Sequence, residues 1–162
     1  MKSERFSEAK SERFSEAKMN PALAYLQAHV GRKLSEGSPS PTGRWLDGTL
    51  LAAEPGSLTV QFTVREEMCN PARILHGGIA ATMLDDVMGM TVFSLGLDVF
   101  FTSVNLAVDF LYAAPLGSTV VAKSEIVRQG KKIIHAECRL TDEAGRLVAK
   151  AASNLVGTSK GL

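Results

Sequence analysis

The stretch from Gly78 to about Leu95 constrains the fold more than any other part of the chain. Ile, Ala, Met, Leu, Val and Phe fill almost every side of it, interrupted only by Thr82, Asp85, Asp86, Thr91 and Ser94. At 3.6 residues per turn these apolar side chains surround the helix axis instead of forming one stripe, as in a buried helix. The rest of the chain must therefore wrap around it.

The wrapping material reads as strands. Leu58, Val60, Phe62 and Val64 alternate with Thr59, Gln61, Thr63 and Arg65, the period of two of a strand buried on one face. Glu54-Pro55-Gly56-Ser57 turns into it from a strand expected over about Arg44 to Ala53. After Gly96 the chain reads as strands to its end. Thr102, Val104, Leu106, Val108 and Phe110 are expected on one face, with Ser103, Asn105, Ala107 and Asp109 on the other. Further strands follow over Ser118 to Arg128, over Ile133 to Thr141 with Ile134, Ala136, Cys138 and Leu140 inward, and over Arg146 to Gly157. Pro115-Leu116-Gly117, Gln129-Gly130-Lys131 and Asp142-Glu143-Ala144-Gly145 supply the turns. Two strands, one long buried helix and four more strands define an α+β fold, an antiparallel sheet of five or six strands curled around a central helix.

Upstream, S-E-R-F-S-E-A-K occurs at Ser3 to Lys10 and again at Ser11 to Lys18. One short unit seen twice is too little for a repeat fold. Residues 1–18 read as a duplicated leader outside the fold, with Met19 as the natural first residue. Residues 19–43 read as an N-terminal helix and loop. Asn20-Pro21 is an N-cap followed by proline at the first helical position, and Leu23, Tyr25, Leu26 and Val30 carry an amphipathic helix to about Leu34. Ser35 to Gly43, with three Ser, two Pro and two Gly, is expected as a loop. Residues 44–162 form the main domain.

Composition narrows the function classes. Of 162 residues, 18 are Lys or Arg and 17 Asp or Glu, a net charge of +1 that argues against binding nucleic acid by blanket phosphate neutralisation. Cys69 and Cys138 cannot build a disulfide framework and suit a reducing cytoplasm, the expected location. The run from Val87 to Phe101 is broken by Ser94, Gly96 and Asp98 and falls short of the roughly 20 residues of a spanning helix. No apolar signal segment opens the chain, so no membrane or secretory role is expected. Three histidines and two distant cysteines show no metal-ligand spacing.

Two features point to chemistry. Adjacent carboxylates on a buried helix cost several kcal/mol unless paired or hydrogen-bonded. Asp85 and Asp86 lie about 100° apart around the axis, so each meets its own surroundings. Gly89, four residues beyond Asp85, leaves a slot beside that carboxylate. The structural alternative is that both aspartates reach solvent or bond nearby backbone. The second feature is His76-Gly77-Gly78 at the helix start. Unpaired N–H groups and the positive end of the helix dipole meet there, and glycines let a substrate approach closely, an arrangement able to stabilise an acyl-transfer oxyanion. Taken alone, a Gly-Gly before a helix also serves as a flexible entry turn.

The run Asn70-Pro71-Ala72-Arg73-Ile74-Leu75-His76-Gly77-Gly78-Ile79-Ala80-Ala81-Thr82-Met83-Leu84-Asp85 resembles the signature of hotdog-fold acyl-CoA thioesterases of the phenylacetate-degradation (PaaI) type. It shares the Asn six residues before His-Gly-Gly and the Asp nine after the His. Ser103-Val104-Asn105-Leu106-Ala107-Val108-Asp109-Phe110-Leu111 resembles the strand that follows in that family. The likeness spans roughly Arg44 to Thr158. Asn105 departs from the Asp of many members, and Ala113-Ala114-Pro115 departs from a motif whose Pro comes earlier.

The resemblance implies a hotdog fold and hydrolysis of an acyl-CoA to a free acid and coenzyme A. Asp85 would be nucleophile or general base, acting directly or through water. The Gly77 N–H would polarise the thioester carbonyl, Asn70 would position the carbonyl or water, and Ser103 would hold water or the carboxylate. His76 would shape the loop and contact the thioester region. Gly78 and Gly89 would admit substrate. Independently of the resemblance, Arg128, Lys131 and Lys132 cluster at a hairpin and could meet the coenzyme A phosphates, although such a charged turn is more often only solvated. No cofactor is implied, since coenzyme A is part of the substrate. The carboxylate and the Asn/Gly side would come from different subunits of a homodimer or dimer of dimers. Competing readings are a non-catalytic acyl-CoA-binding module and a hotdog dehydratase, whose His motif is not found here.

Overall fold

A computed structural model describes residues 20–158. The duplicated segment and Met19 lie outside the described residues. Helix α1 (Pro21–Ala28) begins at Asn20, whose side chain accepts the Leu23 N–H. It stops well short of Leu34. Gly31 adopts φ +84°, and its N–H turns away to the Leu50 carbonyl at 2.7 Å. A 3₁₀ turn follows at Leu34–Glu36.

The segment expected as loop and then strand from Arg44 contains a second helix, α2 (Pro41–Leu46). Its signal repeats that of α1: Ser40 caps the Gly43 N–H at 3.0 Å and Pro41 takes the first position. Asp47, at φ +53°, ends it, so strand β1 is only Thr49–Glu54.

Strand β2 (Ser57–Thr63), helix α3 (Gly77–Phe93), and strands β3 (Phe101–Phe110), β4 (Thr119–Gln129), β5 (Ile133–Asp142) and β6 (Leu147–Gly157) complete the fold. The six strands form one sheet in the order β1-β2-β4-β5-β6-β3, every pair antiparallel. Helix α3 lies against its inner face, which is the hotdog architecture. Met83, Leu84, Val87 and Met88 are buried among Leu58, Val60, Phe62, Ile134, Ala136 and Leu140. Each large apolar side chain buried there contributes about 1.5–3 kcal/mol. The inward faces expected for β2 and β5 are the observed ones. At the helix end, buried Ser94 donates to the Thr91 carbonyl and accepts the Gly56 N–H. Asn20 Nδ2 donates to the Ser94 carbonyl, docking α1 beside α3.

Two expectations need correction. Helix α3 is not covered all round: Gly78, Gly89 and Phe93 are exposed and Thr82 and Asp85 half-buried, leaving an open stripe one helix face wide. Strand β3 does not alternate cleanly. It is an edge strand: Phe101 is in the core and Val108 packs against it, but Val104 is 61% and Phe110 57% exposed. Its register slips between Ser103 and Asn105, so Ser103 stands opposite inward Leu155 while Asn105 stands opposite Asn154. Ser103 therefore shares the helix-side face with Leu106, Val108 and Phe110 and not with Asn105.

Candidate active site

Docking α1 against α3 leaves a cleft of about 460 Å³. Tyr25, Leu26 and His29 wall it on one side and Asp85, Gly89, Met90 and Phe93 on the other, with Phe101, Ser103 and Leu155 from the sheet. Leu26, Leu50, Met90, Phe93, Phe101 and Leu155 give the cleft apolar walls, beside which charge interactions are stronger than in water. Asp85 Oδ1 accepts the Ser103 hydroxyl at 2.9 Å. A side chain at Gly89 would meet nothing within 4 Å, so open space lies one turn from the carboxylate.

Asp86 points elsewhere, toward α2. Its Oδ1 accepts the Ser40 hydroxyl at 2.9 Å, and its buried Oδ2 has no partner among the described residues. A Cβ at Gly43 would come within 2.9 Å of that oxygen, so α2 can seat here only with glycine at the contact. Burial pushes the Asp86 carboxyl above the ordinary carboxylate value; the Ser40 hydrogen bond opposes this and the charge of Asp85 adds to it.

This raised value makes a prediction. The folded state holds a proton more tightly than the unfolded chain does, so Asp86 costs stability as pH rises from the ordinary value of 3.8 through the raised one. Asp86→Asn removes the titration and keeps the acceptor for Ser40. Thermal unfolding across a pH series should show the variant gaining on the wild type as pH rises through that window, then a constant advantage. A variant that melts lower than the wild type at neutral pH, with the same pH dependence, would contradict this.

At the other end of α3, His76 is the N-cap. Its Nδ1 accepts the Gly78 N–H at 2.9 Å, so the ring is a structural acceptor here. The Gly77 N–H, one residue earlier, has no acceptor among the described residues. The Phe110 ring lies 3.3 Å from where a Gly77 Cβ would stand, so a side chain there would crowd the approach to the N–H unless the ring shifted by a few tenths of an ångström. Asn70 Oδ1 accepts the N–H groups of Ala72 and Ile74 at 3.0 and 3.4 Å, which leaves its amide NH₂ as the group to offer a substrate.

Asn70, Gly77 and Phe110 line a second groove of about 340 Å³ that Asp85 does not reach. Eight residues of helix, about 12 Å, separate Gly77 from Asp85. Within one chain the structure thus joins Asp85 to Ser103 and Gly89, and Asn70 to Gly77, without uniting the two groups. Arg128, Lys131 and Lys132 are exposed at the β4–β5 hairpin and line neither cavity. The cations that do line the cleft, Arg32 and Lys33, were hidden by reading α1 through to Leu34. Ser40 was hidden with α2, although Ser40-Pro41 repeats the Asn20-Pro21 pattern. Among the described residues no cluster of His, Cys, Asp and Glu is arranged to hold a metal ion, and no helix is long and apolar enough to cross a membrane.

One long helix against a six-stranded antiparallel sheet, with Asp85 held by the Ser103 hydroxyl beside an open cleft, makes this a hotdog-fold protein with a carboxylate on its central helix. The family description "Thioesterase superfamily" matches residues 72–149. Acyl-coenzyme A thioesterase 13 of Homo sapiens is 31% identical over 103 residues, 63% of this chain and 74% of that protein. A hypothetical thioesterase from Streptococcus pneumoniae TIGR4, solved with coenzyme A, has a TM-score of 0.67 and 27% identity over 70% of this chain and 87% of that one. The PaaI protein of the E. coli phenylacetic acid degradation operon has a TM-score of 0.74 over 85% of this chain and 96% of that one; at 17% identity this is a likeness of fold. The chain belongs to the thioesterase superfamily and is a thioester hydrolase.

Proposed function

We propose that the protein hydrolyses acyl-CoA thioesters to a free carboxylic acid and coenzyme A. The observation that carries this reading is the Ser103–Asp85 hydrogen bond beside the open space at Gly89. One carboxylate oxygen is held by Ser103, and the other is left to attack the thioester carbonyl or to take a proton from the attacking water. The carbonyl oxygen, gaining negative charge, is met by the Gly77 N–H and the positive end of the α3 dipole, with the Asn70 NH₂ beside it. Collapse of the adduct expels the coenzyme A sulfur, which leaves as the protonated thiol, and water supplies the oxygen added to the acid.

Two chains complete this site in our reading. The exposed stripe on α3 and the apolar edge strand β3 are surfaces that a second copy would cover, and the separation of Gly77 from Asp85 requires it. For the coenzyme A phosphates, Arg32 and Lys33 are better placed in this chain than Arg128, Lys131 and Lys132. No separate cofactor is invoked, and two free cysteines suit a cytoplasmic setting. The test is incubation with a panel of aliphatic and aromatic acyl-CoAs while free thiol is followed. Thiol release above background with at least one of them is expected. Saturable binding with no release from any would overturn the reading.

A further inference from the structure

From Phe110 back to Asn105, β3 pairs with β6 in simple register, Phe110 opposite Ala149 and Asn105 opposite Asn154; one step further, Ser103 is opposite Leu155. In an unbroken strand Ser103 and Asn105 would face the same way. The extra residue, Val104, turns Ser103 to the helix side and Asn105 to the outer face, as a β-bulge does. Without it Ser103 would point away from Asp85.

Three hydrogen bonds converge on the residue that follows the bulge. Ser153 Oγ donates to the Asn105 carbonyl at 2.8 Å. The Asn154 backbone N–H and Nδ2 both donate to Asn105 Oδ1, at 3.0 and 2.9 Å. Ser153 is fully buried in an inward row otherwise made of Ala149, Ala151 and Leu155, where an unpaired hydroxyl would be costly. Its proton goes to the one strand that is bulged. On the outer face, His135 Nδ1 lies 2.9 Å from Asn154 Oδ1, an acceptor, so the imidazole donates and the Asn154 NH₂ is turned toward Asn105. β6 thus holds Asn105 from both faces of the sheet.

We infer that Asn105, Ser153 and Asn154 form a clamp that sets the β3 bulge and through it aims Ser103 at Asp85; they are positioning residues for the hydrolysis. The inference rests on the proposed role of Ser103 toward Asp85. It also accounts for the departure from the family's Asp at position 105: the clamp asks of that side chain only an acceptor oxygen, which Asp and Asn both supply.

The test measures steady-state hydrolysis of the most rapidly cleaved acyl-CoA of the panel by Ser103→Ala, Ser153→Ala, Asn105→Leu, Asn105→Asp and the double variant Ser103→Ala/Ser153→Ala. Ser153→Ala and Asn105→Leu should each lower kcat about tenfold or more with KM nearly unchanged, the signature of lost alignment in the transition state. Asn105→Asp should recover most of the loss. The double variant should be no worse than Ser103→Ala alone, because both changes break the same contact. In a crystal structure of Asn105→Leu, Ser103 Oγ should have left hydrogen-bond distance of Asp85. Full kcat in Ser153→Ala and Asn105→Leu, losses that multiply in the double variant, or a retained Ser103–Asp85 bond in the crystal would each overturn the clamp. If Ser103→Ala itself keeps full turnover, the clamp falls together with the reading of Ser103. If Ser103→Ala is impaired and the clamp variants are not, only the clamp falls.

Discussion

Asp85→Asn should give a folded protein that still binds acyl-CoA and has lost turnover by about 10²–10⁴-fold, the usual worth of a positioned general base. The amide is nearly the same size as the carboxylate and keeps an oxygen for the Ser103 hydroxyl, so the contact between β3 and α3 survives. What disappears is the anionic oxygen facing the cleft, and with it both nucleophilicity and basicity. Asp86→Asn is the matched control. It changes the adjacent residue by the same chemistry, but its side chain bonds Ser40 of the α2 cap, so its effect belongs to stability and not to turnover. Steady-state thiol release, with circular dichroism for folding, makes the comparison. A folded Asp85→Asn that keeps more than about a tenth of wild-type turnover falls far short of a general-base loss and removes Asp85 from the chemistry.

The contrast between the two aspartates shows how far the sequence could be read. That they must face differently follows from helix geometry alone, and the open space at Gly89 follows from a missing side chain one turn away. The strands β2 and β5 were legible for the same reason: their side chains alternate because one face meets α3 along the whole length. The bulge in β3 was not legible. The run from Thr102 to Phe110 alternates regularly in type, and nothing in it marks the slip at Val104. The slip is set by Ser153 and Asn154, about fifty positions later, and such long-range pairing leaves no local pattern. Helix α2 was missed differently. Ser40-Pro41 carries a clear start signal, but a six-residue helix is too short to show periodicity, and Pro, Ser and Gly around it read as loop. The open stripe on α3 was invisible because apolar content does not distinguish a surface buried by its own chain from one kept for another chain.

Subunit mixing should decide whether that stripe belongs to a shared site. In the assembly proposed, each site takes Asp85 and Ser103 from one chain and Asn70 and Gly77 from the other. Asp85→Asn alone has every site defective, and so does Asn70→Ala alone, provided the Asn70 amide serves the carbonyl or the water. A dimer holding one chain of each kind differs: one of its sites carries both defects, and the other carries neither. If the chains are unfolded together, mixed equally and refolded, half the dimers are of this kind, and activity should return to about a quarter of wild type from two nearly inactive parents. Equal amounts of the two variants refolded separately and then combined provide the baseline, and the gain should develop only as subunits exchange. Because the 12 Å or so of helix between Gly77 and Asp85 is fixed by the helical rise, no side-chain motion within one chain can imitate this recovery. Mixed refolding that stays at the baseline, with heterodimers confirmed by mass, would mean that each chain builds its whole site alone and that the exposed face of α3 has another use.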